Sequence, residues 1–208
     1  MNTRTKLTLT TMALLCLAVA LPAGDVLAQQ PEYPPQHREY QYQRVSFKAS
    51  AANSKYTQHY NIDVGDAAGH QVRVFEINRT FPSNAPAING VKLAELWNRG
   101  ASDLFDGDGA YTTYSVFVLE NGDKFFAQTA RVAESIGSGK FTTSSTGTIT
   151  GGTGKFFGIE GIVRTVGTDD PKAGFAEAQY DIEYRRPIQQ RSATGRFLAL
   201  KKTSRGVR

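Results

Sequence analysis

Residues 148–161 read TITGGTGKFFGIEG, with glycines at 151, 152, 154, 158 and 161 and Lys155 directly after one of them. Glycine before lysine suggests a loop whose backbone N–H groups cradle a phosphate. That loop needs glycine, four residues, then Gly-Lys-Ser/Thr, set between a strand and a helix. Counting back from Gly154 reaches Ile149 where glycine is required, and Phe156 stands where the magnesium-holding hydroxyl belongs. The dinucleotide pattern fails as well, because Phe157 occupies its last glycine position. The stretch that follows, IEGIVRTVGT, is strand-like. Spacing therefore excludes a nucleotide cradle, and the glycines predict a tight corner in which Lys155, Phe156 and Phe157 form a short turn with an aromatic plug.

Other constellations are as sparse. The three histidines, His37, His59 and His70, are scattered, so no metal site is expected. Asp103, Asp106 and Asp108 miss the calcium-loop spacing and read as a solvated turn between strands. Ser138 in IGSG lacks the glycine two residues earlier that a nucleophile elbow requires, so this segment reads as a hinge. What remains are carboxylates and aromatics on strand faces. Val72, Val74, Glu76 and Asn78 share one face of 71–79, and Leu93, Glu95, Trp97 and Arg99 share one face of 91–99. If those faces point inward, Glu76 and Glu95 lie among apolar neighbours, where a raised pKa suits a general acid or base. Trp97, Tyr114 and Tyr180 would line the same cavity. The alternative is that both glutamates face solvent and the tyrosines only fill space, since a one-residue slip exchanges the two faces.

The elements that must position these groups are strands. Period-two alternation with β-branched and aromatic residues marks 43–50, 55–63, 71–79, 91–99, 110–119, 124–133, 140–150, 159–168 and 174–184, and no stretch of similar length has helical spacing. Asn121-Gly122 predicts a two-residue type I′ hairpin, which would set Val118 opposite Phe125, Phe117 opposite Phe126 and Tyr114 opposite Thr129. Short strands joined by Gly-, Asp- and Asn-rich turns suit one antiparallel barrel of about eight strands.

The ends of the chain set its context. Arg4 and Lys6 precede a short apolar run (MALLCLAVAL), and Val26-Leu27-Ala28 offers small residues for cleavage. That order predicts a signal peptide over 1–28, hence an exported protein, periplasmic or secreted. The run is too short for a spanning helix, and no later segment approaches one. The single cysteine, Cys16, lies within it, so no disulfide is available to the remainder. Residues 29–42 read as an extended Pro- and Gln-rich leader, 43–186 as the barrel and 187–208 as a basic tail. The 24 basic residues outnumber the 19 acidic ones, yet residues 185–208 alone hold eight basic residues and no acidic one. The basic excess belongs to the tail. With Phe197 as its one aromatic, the tail lacks a stacking platform, and nucleic acid is not the expected partner.

The segment GTITGGTGKFFGIEGIVR resembles the ITGG-x-G-x-F-x-G-x-x-G stretch of the allene oxide cyclase barrel family and the GGTGKF stretch of the related dirigent proteins. The resemblance implies an eight-stranded antiparallel barrel with an apolar cavity, often trimeric, working without a cofactor. Among its relatives the chain is most similar to exported bacterial members of unassigned activity. Plant cyclases pair an acid with a cavity cysteine, which residues 29–208 lack. The expected function is therefore a barrel that binds a small apolar ligand or a partner protein without catalysis. The alternative is a cofactor-free isomerase or cyclase with Glu76 or Glu95 as acid–base.

Overall fold

A computed structural model describes residues 39–188. The predicted signal peptide, residues 29–38 of the leader and residues 189–208 of the basic tail lie outside the described residues. The rest is antiparallel β-structure: β1 (Tyr40–Ala49), β2 (Ser54–Asp63), β3 (His70–Thr80), β4 (Ala87–Ile88), β5 (Val91–Phe105), β6 (Asp108–Leu119), β7 (Lys124–Gly137), β8 (Lys140–Gly152), β9 (Glu160–Asp170) and β10 (Phe175–Pro187). All nine expected strands are present, most of them longer than alternation indicated, and the two-residue β4 is an addition. The first strand begins at Tyr40, so the end of the expected leader is sheet.

The strands follow the order β1-β10-β9-β8-β7-β6-β5-β3-β2, with β4 beside β5. The sheet curls strongly on itself. Arg79 of β3 donates to the Ala176 carbonyl of β10 at 2.8 Å, and the Tyr180 hydroxyl of β10 reaches Asn98 of β5 at 3.0 Å. Those strands are far apart along the ladder, so only a barrel-like curl brings them together. No ladder joins the edge strands β1 and β2 among the described residues; a single 3₁₀ turn at Ala51–Asn53 connects them.

Turn chemistry accounts for the sharp reversals. Asn89-Gly90, Asp106-Gly107 and Ser138-Gly139 each have positive φ at both residues, as a two-residue type I′ hairpin demands. Asn121-Gly122 does not. Only Gly122 is left-handed there, at φ 84°, and the Gly122 N–H donates to the Leu119 carbonyl while the Leu119 N–H donates to the Asp123 carbonyl. This is a three-residue loop, and it moves the expected register by one: Phe117 pairs with Phe125, Tyr114 with Gln128 and Thr113 with Thr129. The corrected register places Phe117 and Phe125 on the buried face with ring centroids 4.2 Å apart.

The interior is layered. One end is an apolar cluster containing Leu93, Leu96, Phe117, Phe125, Ile149, Phe156 and Ile182. The glycine corner closes this end. The expected aromatic plug is Phe156, in the turn Gly154–Phe156 and fully buried; Phe157, which the sequence did not distinguish from it, is 77% exposed. Burying such a ring contributes about 1.5–3 kcal/mol. The other end holds Phe75, Ile77, Leu104, Tyr111 and Phe141, with Tyr56 packed against them. Between the two clusters lies a polar belt.

Candidate functional site

Each strand around the belt contributes from its inward face. β3 supplies Arg79, β5 Asn98 and Ser102, β6 Thr113 and Ser115, β7 Thr129 and Arg131, β8 Thr143, β9 Thr165 and Asp169, and all of these are buried. Arg79 is held on three sides: its Nε donates to Asn98 at 3.1 Å, and its Nη1 donates to Ser54 Oγ and to the Ala176 carbonyl, both at 2.8 Å. Asn98 passes the network on through its Nδ2 to Ser115 Oγ at 2.8 Å. Arg131 donates to the Tyr111 hydroxyl at 3.2 Å and to Thr165 Oγ1 at 3.0 Å, with its guanidinium over the Tyr111 ring. Its Nε has no protein partner, nor have the buried hydroxyls of Ser102, Thr113, Thr129 and Thr143.

Charge in this belt is unbalanced. Arg79 and Arg131 share the buried belt with one carboxylate, Asp169, which feels both charges; the neighbouring Asp170 turns to the β9–β10 connection and accepts the Ala173 N–H. Burial pushes the Asp169 carboxyl above its ordinary value of 3.8, against the pull of Arg131, Arg79, the Tyr56 hydroxyl and Arg73. Burial first, and then the Asp169 charge, raises the Tyr56 hydroxyl far above its ordinary range. Burial raises Tyr111 too. Both phenols are therefore protonated donors at neutral pH. Even with Asp169 ionised, one guanidinium charge stays uncompensated, and Arg73 adds another over the Phe141 ring. A buried charge without a counterion is costly, so this belt favours an anion.

Above the belt, Tyr56, Arg73, Phe75, Tyr111, Phe141 and Asp169 help to line a cavity of about 20 Å³. That is space for one water, which needs about 10–15 Å³.

The sequence-predicted residues mostly lie elsewhere. On β3 the buried set is Phe75, Ile77 and Arg79, so Val72, Val74, Glu76 and Asn78 form the outer face. On β5 the register shifts between Leu93 and Glu95. The extra residue keeps Leu93 inside and turns Glu95, Trp97 and Arg99 outward. The inward placement expected for Glu76, Glu95, Trp97 and Tyr114 is thus corrected. They form a chain on the outer surface: Thr57 donates to Glu76 at 2.6 Å, Arg99 donates to Glu76 at 2.6 Å and lies over the Trp97 ring, and Trp97 Nε1 donates to Glu95 at 2.8 Å. Thr57 and Arg99 hold the Glu76 carboxyl below its ordinary value, the reverse of the expected shift. Tyr114 stands beside them, 56% exposed. Tyr180 alone points inward, fully buried against Phe47.

Sequence reasoning missed Arg79, Arg131, Asp169, Tyr56 and Tyr111. Their signal was available as polar residues in core register, in Thr129-Arg131-Ala133 and Thr165-Gly167-Asp169, each two residues apart. Asp103, Asp106 and Asp108 serve the β3–β5–β6 turns: Asp103 accepts from His70, and Asp108 accepts the Ser135 N–H. No group of three metal-ligating side chains occurs among the described residues, and no helix among them is long and apolar enough to cross a membrane.

No protein-family model matches the chain, and no curated protein matches it. Among solved structures it is similar to a pterocarpan synthase dirigent protein at 14% identity and a TM-score of 0.44, over 74% of this chain and 90% of that one.

Proposed function

We propose that the protein is an exported, non-catalytic binding barrel whose guest is a small aromatic molecule carrying an anionic head. The carrying observation is the positive belt: two buried guanidinium groups, Arg79 and Arg131, face one carboxylate, Asp169. The guest's anionic group would replace the partner that Arg131 Nε lacks. Its ring would lie against Tyr111, Tyr56 and Phe141. The present cavity accepts no ring, so Phe141 and the Arg73 stacked on it must swing outward, and that motion would leave Arg73 at the rim as a second anion contact. The purely apolar ligand expected from sequence fits this lining less well, because every belt residue is a donor or a charge.

The experiment compares cinnamate with cinnamyl alcohol by calorimetry on the wild-type chain and on Arg131→Met. Charge-assisted hydrogen bonds contribute about 1.5–3 kcal/mol, so cinnamate should bind roughly 10- to 100-fold more tightly, and the substitution should erase the preference. Equal affinity for both ligands would return the reading to an apolar guest. Export is tested by the intact mass of protein recovered outside the cytoplasm, which should begin at Gln29.

One observation favours a second reading. Asp169 combines a raised pKa with a neighbouring phenol, an acid–base pairing suited to cofactor-free isomerisation. In that case Asp169→Asn would abolish turnover of a bound substrate while leaving its affinity within a few-fold.

A further inference from the structure

β2 is a free edge of the sheet, and its two halves differ. The first half is covered and guarded. Ser54 is buried beneath Arg79, Tyr56 packs into the core, and the register shifts between Tyr56 and Gln58 around Thr57. Lys55 adds a charge. Lysines, bulges and prolines are the usual protections of a sheet edge. The second half, residues 58–63 (QHYNID), has none of them, and no strand lies on its outer side among the described residues. Tyr60 and Ile62 are 63% and 66% exposed there.

The backbone fixes which groups are open. The Val64 N–H donates to the His70 carbonyl at 3.0 Å, so residue 64 and, by alternation, 62, 60 and 58 turn their backbone groups toward β3. His59, Asn61 and Asp63 therefore present N–H and C=O outward.

We infer that this edge pairs antiparallel with the same edge of a second copy, about a twofold axis at Asn61. Registers centred on His59 or Tyr60 set Asn61 or Asp63 against the irregular step at Thr57. Those centred on Ile62 or Asp63 run past the end of the strand. The register centred on Asn61 satisfies the open groups of all three residues. It places the half-buried His59 of each copy opposite the exposed Asp63 of the other. On the outer face it places Tyr60 opposite Ile62 twice, an aromatic and β-branched pairing that stabilises sheets.

Sedimentation velocity on the purified chain, from micromolar to sub-millimolar concentration, tests the pairing, with circular dichroism confirming the fold of each variant. The wild type is expected to be a dimer. Asn61→Pro removes an N–H that points away from β3, so the dimer should dissociate while the sheet persists. Asp63→Lys should weaken association by at least about tenfold by setting a lysine against each His59, and adding His59→Asp should restore it by placing a carboxylate opposite each lysine. A wild-type monomer throughout the range overturns the inference, as does an oligomer that Asn61→Pro leaves intact. Failure of the double charge variant to recover association overturns the register.

Discussion

At the scale of single residues, chemistry follows from what a side chain faces, and His70 shows this most directly. Its Nδ1 lies 2.7 Å from Asp66 and its Nε2 2.7 Å from Asp103. A neutral imidazole has one N–H and cannot donate to both, so His70 is held as the imidazolium. The hydrogen bond to Asp103, then that to Asp66, raises its pKa above the ordinary 6.5, while His70 lowers the Asp66 carboxyl below 3.8. Phe105 is its aromatic neighbour, and Asp106 bonds through its N–H to the Gly69 carbonyl one residue away. The raised histidine contributes stability that is complete below pH 6.5 and is lost as pH rises through the folded pKa. The depressed aspartate contributes stability present above pH 3.8 and lost as pH falls. The connection at residues 64–69 should thus be held best between about pH 4 and 6.5 and loosen on the alkaline side. Amide exchange at Ala67 and Gly69 across this range checks it. In His70→Gln the acceleration above pH 6.5, beyond the intrinsic base catalysis of exchange, should disappear; an unchanged profile would rule the clamp out.

At the scale of elements, the glycine corner works because one of its glycines makes room for a neighbouring hairpin. Gly154 has φ 52°, and a Cβ there would overlap the Asp123 carboxylate. That carboxylate accepts from Asn121 Nδ2 at 2.8 Å and from the Lys155 N–H at 3.2 Å, so it ties the β6–β7 loop to the β8–β9 corner. Gly154→Ala should cost about 1–3 kcal/mol, combining left-handed strain with the steric conflict. Gly122→Ala, at φ 84° with open space around its Cβ, should cost only the conformational part. Urea unfolding of both, and of Gly154→Ala with Asp123→Ala, separates the contributions. The second substitution should recover part of the loss, and a strictly additive double variant would show that the contact carries none of it. The same elements show what was legible in the sequence. Period-two alternation marked every strand on the sheet path, and the corner was legible as a short turn with an aromatic plug, though not which of Phe156 and Phe157 fills it. Strand faces were not legible. The buried face of β3 reads Arg73-Phe75-Ile77-Arg79, bracketed by arginines, while the exposed face shows Val72 and Val74. On β5 the irregular step before Glu95 reverses parity in mid-strand. A period of two cannot report an inserted residue, nor reveal that an inward arginine will be held by Ser54 and Asn98 of the adjoining strands and by the Ala176 carbonyl of distant β10.

At the scale of the molecule, the sheet has placed a polar layer between two apolar clusters. A barrel built only for stability would fill that layer with apolar side chains, as both flanking clusters do. Instead it buries Arg79, Arg131 and Asp169 and leaves several hydroxyls without protein partners. Buried ion pairs exchanged for well-packed apolar groups are often neutral or gain about 1–4 kcal/mol, whereas removing one partner costs about 3–5 kcal/mol. If the belt serves binding, stability and binding should separate under substitution. Asp169→Leu alone should destabilise strongly, because it leaves both guanidinium groups unopposed. Arg131→Met with Asp169→Leu should recover to wild-type stability or above, and it should no longer distinguish cinnamate from cinnamyl alcohol. Thermal unfolding with and without each ligand measures both quantities on the same samples. A double variant as unstable as the worse single one would mean that the belt is architectural, with the charges holding the curl of the sheet in place of a guest. Recovery of stability with loss of the anion preference would mean that the belt is kept for what it binds.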